Sequence, residues 1–271
     1  MWGSLGEKIG EGLTADIHVW APGQVVKLFK AGVAARLGRH EARMTRAAFA
    51  AGAPAPDVLD EVTLDGRFGI VLPRFDGPTL LQLLLTGAMT YEQVGAILAT
   101  LYISVHETAA PPDVTSLRDW IDTASRFSGD LLPKDIATGV LTLIDRLPPG
   151  NGLCHADLHP GNVIMTADGP RIIDWACALR AHPVFDIGRC HVTLSELVPE
   201  DADPEPPRAI NAAVQSEYAR LAGMSAAELT ATMQPYLPIL RAFVLIQRPT
   251  SPAQRGRLIQ RIAAALLSED E

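Results

Sequence analysis

One short segment constrains this chain more than any other feature. It reads Cys-His-Ala-Asp-Leu-His-Pro-Gly-Asn over residues 154–162, and Ile-Asp-Trp follows at residues 173–175. Two carboxylates and an amide near a predicted hairpin suit Mg²⁺, which prefers hard oxygen ligands and takes only one or two carboxylates from a protein. Asn162 and Asp174 are candidate ligands, and Asp157, five residues before the amide, can stay off the metal. An ordinary aspartate is ionised at pH 7, so Asp157 can orient a hydroxyl and accept its proton.

The order and spacing of these residues resemble the catalytic loop and metal-binding aspartate of protein-kinase-like phosphotransferases. The form His-x-Asp-x-His-Pro-Gly-Asn followed by Ile-Asp-Trp is similar to the aminoglycoside phosphotransferase and choline kinase group, as is Pro-Val-Phe-Asp-Ile-Gly at residues 183–188. The resemblance implies that Asp157 is catalytic and that Asn162 and Asp174 hold the metal. It implies supporting roles for three further residues: His155 braces the loop, His159 lies near the phosphates, and Asp186 bonds loop backbone.

A glycine-rich segment near the start of the chain is a weaker signal. Residues 10–17 read Gly-Glu-Gly-Leu-Thr-Ala-Asp-Ile, close to G-x-G-x-x-G-x-V. Glycine lets a backbone approach phosphate, and loop N–H groups can donate to it. The resemblance therefore implies a phosphate loop at Gly10 and Gly12. It also implies that Lys27 contacts the α- and β-phosphates with Glu41 as its ion-pair partner.

The same resemblance implies an adenine pocket. Ile17 and Val25 would cover one face of the base, and Arg74 and Phe75 would meet its edge. Pro73 has no N–H, so a backbone donor at this edge must come from Arg74 or Phe75.

Local signals divide the chain into two lobes. Strand-like runs occupy residues 16–20 and 25–29. Two further β-rich runs between residues 61 and 73 flank Asp65-Gly66, a pair typical of type I′ hairpins. A helical segment at residues 34–51 ends at Gly52. Thr90 and Gln93 indicate a capping box, and further helices are predicted at 117–126, 135–146, 207–222 and 226–267, with a hairpin within 162–174. We predict an α+β, two-lobed protein-kinase-like fold: a nucleotide-binding lobe at 1–75 and a mainly helical catalytic and acceptor-binding lobe at 76–271.

Composition narrows the partners and the compartment. The chain has 23 basic and 31 acidic residues, a net charge of −8, which argues against nucleic acid or an anionic membrane as a partner. Residues 1–12 lack the pattern of a signal peptide, and the best apolar run, residues 80–85, is far shorter than the ~18 residues of a membrane span. Three cysteines form no disulfide framework. We expect a cytoplasmic protein, with its oligomeric state left open.

The predicted function is transfer of the γ-phosphoryl group of ATP, with Mg²⁺, to a hydroxyl of a small molecule. The resemblance implies an antibiotic such as an aminoglycoside, an amino sugar or a choline-like metabolite, and the acidic net charge favours a cationic acceptor. One alternative is a kinase of Ser or Thr hydroxyls in a peptide, including a biosynthetic precursor peptide. Another is a nucleotide-binding pseudokinase that regulates a partner. The pseudokinase predicts loss of a catalytic residue, whereas Lys27, Asp157, Asn162 and Asp174 are all present.

Overall fold

The N-terminal part of the chain is a five-stranded antiparallel sheet covered by one helix. The computed structural model describes residues 5–127, 129–148, 150–199 and 201–268. The strand order is β1-β2-β3-β5-β4. The strands are β1 (Lys8–Glu11), β2 (Ala15–Ala21), β3 (Gln24–Phe29), β4 (Asp60–Leu64) and β5 (Arg67–Pro73), and helix α1 (Ala35–Ala50) lies between β3 and β4.

Two local signals explain the turns of this lobe. Asp65 and Gly66 both have positive φ, 49° and 74°, and they join β4 to β5 as a type I′ turn requires. Helix α1 ends at Gly52, whose φ is +91°, and the N–H of Ala53 donates to the carbonyl of Ala48 at 3.0 Å. This closure is the one glycine favours at a helix C-terminus.

Helix α1 packs directly on the sheet because a glycine faces it. A Cβ on Gly38 would lie 2.3 Å from the ring of Phe68, so no larger residue fits there without displacement. The buried residues around this contact include Phe29, Ala42 and Ile70. A second small cluster, with Val26 and Val71 at its centre, covers the opposite face of the sheet.

The remaining chain is mainly helical and holds the large hydrophobic core. The glycine Gly95 lets two of its helices approach closely, since a Cβ there would lie 2.4 Å from the Cβ of Ala213. The helices are α2 (Leu80–Leu85), α3 (Tyr91–His106), α4 (Leu117–Phe127), α5 (Lys134–Arg146), α6 (Val184–His191), α7 (Glu205–Leu221), α8 (Ala226–Met233), α9 (Leu237–Gln247) and α10 (Pro252–Ser268). The architecture is thus the predicted α+β arrangement of a small antiparallel sheet and a larger helical lobe.

Two short two-stranded antiparallel sheets lie within the helical part. Strands β6 (Gly152–Cys154) and β9 (Leu179–Ala181) pair, as do β7 (Val163–Thr166) and β8 (Gly169–Ile172). The β7–β8 hairpin is tied to the segments that connect the lobes. The N–H of Ile172 donates to the carbonyl of Pro54 at 3.0 Å, and that of Met165 donates to Pro78 at 2.9 Å. These bonds hold the hairpin and the residues after it against the small lobe.

The structure corrects three element predictions. Residues 80–85, noted only as an apolar run, form helix α2, and their N-cap Thr79 makes a capping box with Gln82. The region 226–267 is three helices instead of one, with a break at residues 248–251. Helix α7 begins at Glu205, earlier than expected, because proline is tolerated in a first helical turn.

One stretch in the described part of the chain, Ala226–Gln247, is long and apolar enough to cross a membrane by length and composition. The prediction that residues 80–85 are the best apolar run is therefore wrong. Of the most apolar window in that stretch, 61% is buried inside the protein. A core helix of a folded domain has the same property.

Candidate active site

A buried lysine connects the sheet, helix α1 and the segment after β8. The Nζ of Lys27, on β3, lies 2.6 Å from Oε1 of Glu41 on α1 and 3.3 Å from Oδ1 of Asp174. Burial opposes the charge of Lys27, but Glu41 and Asp174 outweigh it and raise the pKa of the lysine. Burial likewise opposes the charge of Asp174, and the Lys27 ammonium outweighs it and lowers the pKa of that carboxyl. Burial raises the pKa of Glu41 by more than the Lys27 ammonium lowers it. Three residues predicted for one site are therefore in contact.

The residues predicted around the nucleotide lie on one side of the sheet. Ile17 is the cross-strand partner of both Gly10 and Lys27, so its side chain shares a face with that of the lysine. Val25 is two residues from Lys27 on β3 and therefore lies on the same face. Gly12 lies in the turn from β1 to β2, where its N–H donates to the carbonyl of Ala15 at 2.8 Å. A glycine turn, a lysine and two aliphatic side chains thus line this side of the small lobe.

The structure corrects one detail at the predicted adenine edge. The N–H of Arg74 donates to the carbonyl of Gly23 at 2.9 Å, because Arg74 continues the sheet past the end of β5. The guanidinium of Arg74 pairs with Asp76 at the surface, at 2.7 Å. Arg74 therefore has no free backbone donor. The N–H of Phe75 remains the candidate donor at this edge.

The segment between β6 and β7 is held by one buried carboxylate. Asp186, on α6, accepts from the N–H of His155 at 2.9 Å and from the N–H of Ala156 at 2.6 Å. It also contacts Nε2 of His106, at 3.1 Å. The φ of Ala156 is +58°, a left-handed conformation that turns two successive N–H groups toward the same acceptor. This conformation costs about 1–2 kcal/mol for a residue with a Cβ, and the carboxylate bonds offset it.

His155 links this loop to the segment that carries Asp174. The N–H of Asp157 donates to Nδ1 of His155 at 3.1 Å, so the ring proton must be on Nε2, which lies 3.1 Å from the carbonyl of Ile173. Burial lowers the pKa of His155, so the ring is neutral and this single tautomer suffices. Trp175 packs on the ring at 4.7 Å between centroids. These contacts place His155 within the core and away from the reacting groups.

The side chains of Asn162 and Asp174 present oxygen atoms at the cleft. The Nδ2 of Asn162 donates to the carbonyl of Asp157 at 3.0 Å, which leaves the amide oxygen of Asn162 free to bind a cation. Asp174 has φ 64° and ψ 65°, in the left-handed region, and its side chain is 43% exposed. An amide oxygen and an ionised carboxylate are the donors that Mg²⁺ prefers. The residues present therefore fit a magnesium ion bound together with phosphate oxygens.

His159 has a local role in the loop. Its Nδ1 accepts from the N–H of Gly161 at 3.1 Å, at the start of the turn Pro160–Asn162. Burial lowers the pKa of His159, so the ring is neutral near pH 7. Its Nε2 then carries the ring proton and is available as a donor.

Sequence reasoning missed two arginines at Asp157. Nη2 of Arg189, on α6, lies 2.7 Å from Oδ1 of Asp157, and Nη2 of Arg248, after α9, lies 3.8 Å from the same oxygen. Arg189 is buried and Asp157 is 22% exposed at its side chain. Arg189 is three residues after Asp186 and therefore lies on the same face of α6. This helical spacing is a sequence signal that could have identified Arg189 as a neighbour of the loop. Nothing near Arg248 in the sequence marks it as a neighbour of Asp157.

The sheet with a lysine–glutamate pair, the helical lobe and the Asp-Asn-Asp set between them define a protein-kinase-like fold. Residues 7–224 match the model of the phosphotransferase enzyme family that includes the aminoglycoside phosphotransferases. The chain belongs to this family. No curated protein sequence matches the chain.

Solved structures show the same fold at low sequence identity. Choline kinase from Cryptosporidium parvum is 14% identical, with a TM-score of 0.59 over 98% of this chain and 90% of that one. Aminoglycoside-3′-phosphotransferase of type VIII is 20% identical, with a TM-score of 0.56 over 89% and 93%. The ADP-bound aminoglycoside phosphotransferase APH(2″)-Ib is 15% identical, with a TM-score of 0.55 over 98% and 95%. The structural similarity shows a shared fold, and at such low sequence identity it does not identify the molecule that accepts the phosphoryl group.

Proposed function

We propose that this protein transfers the γ-phosphoryl group of ATP to an alcohol hydroxyl of a small molecule. The observation that carries the proposal is the contact of Lys27 with both Glu41 and Asp174, at 2.6 and 3.3 Å, in a member of the phosphotransferase family. A structural ion pair has no need of a third charge from another lobe. A lysine shared between two carboxylates is suited to bind phosphate oxygens.

Each lobe has its own task in this proposal. Residues 1–75 hold the nucleotide: the turn at Gly12 and the ammonium of Lys27 bind phosphate oxygens, Ile17 and Val25 cover the base, and Phe75 meets its edge. The ADP-bound relative supports nucleotide use by this fold. Residues 76–271 supply the catalytic groups and the acceptor site. When bound, Mg²⁺ neutralises charge on the phosphates, and Asn162 and Asp174 are the residues that would hold it.

Asp157 acts on the acceptor. Its carboxylate accepts a hydrogen bond from the acceptor hydroxyl, orients the oxygen and takes its proton as the oxygen attacks. Arg189 fixes this carboxylate at 2.7 Å, and the N–H of Asp157 is fixed by His155. In phosphoryl transfer most of the acceleration comes from positioning and charge stabilisation, which this framework provides.

The experiment that tests the proposal uses purified protein, MgATP and a panel of hydroxylated acceptors, with products detected by mass spectrometry. The panel contains aminoglycosides, amino sugars, choline-like alcohols, sugar acids and Ser/Thr peptides. We expect a phosphorylated small molecule, and we expect Asp157→Asn to lower kcat by about 10²–10⁴-fold if Asp157 is the base. The exposed Asp168→Asn serves as the matched control.

Three results would contradict the proposal. Turnover by Asp157→Asn at the parent rate would remove Asp157 from the chemistry. Phosphorylation of peptides alone would favour the peptide kinase. A protein that binds MgATP, as judged by its melting temperature, but modifies no acceptor of the panel would favour the pseudokinase.

A further inference from the structure

We propose that the acceptor carries a negative group close to the hydroxyl that is phosphorylated, and that Arg248 binds this group. The proposal rests on the proposed function and adds the charge class of the acceptor. The carboxylate of Asp157 has two guanidinium neighbours, Arg189 at 2.7 Å and Arg248 at 3.8 Å. One carboxylate and two guanidinium groups leave an excess of one positive charge beside the attacking oxygen.

The two arginines are not equivalent. Arg189 is 6% exposed at its side chain and makes the short contact, so it already compensates Asp157. Arg248 is 36% exposed and stands farther away. Its guanidinium has no carboxylate partner other than Asp157 among the described residues. A guanidinium that is half-buried and only loosely paired is available to a ligand.

A further buried carboxylate of the helical lobe, Glu196, is already paired. Glu196 lies 2.9 Å from Nη2 of Arg241 on α9 and 2.8 Å from Nη1 of Arg261 on α10, and its side chain is only 6% exposed. It therefore offers no free charge to an ammonium group. A cationic acceptor bound at Asp157 would also meet the guanidinium of Arg248. An anionic acceptor would meet a planar guanidinium, whose paired N–H groups match the oxygens of a carboxylate or phosphate.

Polar atoms on the same elements also lack partners. Among the described residues, buried side-chain atoms without a hydrogen bond occur in α6, in the π-turn Val192–Glu196 that continues it, in the residues after Arg248 and at the start of α10. The Nε2 of Gln254 donates to the carbonyl of Leu197 at 2.9 Å and so joins the start of α10 to the end of the π-turn. Buried polar atoms are satisfied by protein, water or ligand. The atoms concerned are Nε of Arg189, Oγ1 of Thr193, Oγ1 of Thr250 and Nε of Arg255. Oδ1 of Asp157 has the two ion-pair contacts and likewise lacks a hydrogen bond.

These observations favour a hydroxy acid over an amino alcohol. Three matched sets of acceptors test this, each with one carbon skeleton and three charges at one terminal carbon: D-gluconate, D-glucitol and D-glucamine; D-glucuronate, D-glucose and 6-amino-6-deoxy-D-glucose; D-glycerate, glycerol and 3-amino-1,2-propanediol. For each compound kcat/KM is measured with saturating MgATP. Calorimetry with the non-hydrolysable Mg-AMP-PNP complex measures binding of the first set without turnover.

The variants are Arg248→Gln and Arg248→Glu, with Arg208→Gln as an exposed arginine control on α7. We expect the acids to exceed their neutral and amino counterparts by about tenfold or more, because charged recognition of this kind is worth at least that factor. Arg248→Gln should raise KM for the acids by about the same factor and change kcat by less than about threefold, whereas Arg248→Glu should reverse the order of the acids and amines. The control should preserve the preference.

Opposite results would overturn the proposal. One is a higher kcat/KM for the amines than for the acids, and another is a preference for the acids that Arg248→Gln leaves unchanged. A third is that gluconate, glucitol and glucamine bind the AMP-PNP complex equally or do not bind it. Failure of the proposed function looks different, since it would be loss of AMP-PNP binding itself or of all phosphoryl transfer. Gluconate binding that depends on Arg248 would still support the anionic site in a protein that transfers no phosphate.

Discussion

Replacing Asp186 with asparagine tests whether one buried carboxylate holds the catalytic loop in its left-handed turn. The carboxylate accepts from the N–H groups of His155 and Ala156, at 2.9 and 2.6 Å, and contacts the imidazole of His106 at 3.1 Å. Asparagine has the same shape but replaces one acceptor oxygen with an NH₂ donor. At least one of the two backbone N–H groups must then face another donor. The side chain is 1% exposed, so water cannot take the place of the lost acceptor.

The magnitude follows from these contacts. A hydrogen bond to a charged group contributes about 1.5–3 kcal/mol, and an unsatisfied buried donor costs about 1–3 kcal/mol. The two ranges describe partly the same loss, so we expect Asp186→Asn to lower the free energy of unfolding by about 2–4 kcal/mol. That is a large part of the total of about 5–15 kcal/mol for a typical domain.

Urea unfolding followed by circular dichroism measures this change, with Asp168→Asn as an exposed control expected to stay within about 0.5 kcal/mol of the parent. In a variant that remains folded, kcat should fall more than the KM for ATP rises, because the loop carries Asp157 and not the nucleotide groups of the small lobe. A loss below about 0.5 kcal/mol for Asp186→Asn, with an unchanged slope in urea, would refute the reasoning.

Three further predictions concern charge, packing and positioning. Burial opposes the charge of Glu196, but the two arginine partners outweigh burial and lower the pKa of this carboxyl below the ordinary 4.5. The ionised carboxylate therefore stabilises the fold above pH 4.5, and this stabilisation is lost as the pH falls through the lower folded-state pKa. Urea unfolding from pH 7 to pH 3 should show this decline, and Glu196→Gln should flatten it. Gly38→Ala should destabilise the fold by about 1–3 kcal/mol, because the new Cβ would lie 2.3 Å from the Phe68 ring. Gly256→Ala, in open space on helix α10, should stabilise the fold by about 0.5–1 kcal/mol. Equal effects of the two substitutions in thermal unfolding would contradict this contrast. Arg189→Met should lower kcat at an unchanged KM for ATP, with partial rescue by Arg189→Lys; a rise in the KM for ATP alone in steady-state kinetics would rule out the positioning role.

Features with local causes could be predicted from the sequence. The turn at Asp65 and Gly66 needs two residues that tolerate positive φ, and the chain supplies them between two strand-like runs. The capping box of Thr90 and Gln93 is formed as predicted, because both partners lie within one helical turn. A further capping box, between Ser251 and Gln254, starts α10. Its pattern is present in the sequence and divides the 226–267 region.

The candidate site could be predicted only in part. Spacing along the chain predicts that Asp157, Asn162 and Asp174 share one site, and the structure places Lys27 in contact with both Glu41 and Asp174. Other features depend on pairing between distant elements. Whether Arg74 can donate to a base depends on the sheet edge at Gly23, which no local pattern specifies.

The contrast between net and local charge decides how the acceptor should be sought. The net charge of −8 favours a cationic acceptor if charge is read over the whole chain. Salt screens exposed charges within about 8 Å at physiological ionic strength, so a bound acceptor responds mainly to the groups it touches. In the proposed acceptor site those groups include Arg248, at 3.8 Å from Asp157, while the buried Glu196 is paired with two arginines. Net charge then bears on solubility and long-range association, and the arginines at the catalytic aspartate bear on selectivity. Hydroxy acids therefore belong at the front of any acceptor screen, ahead of the amines that the overall composition suggests.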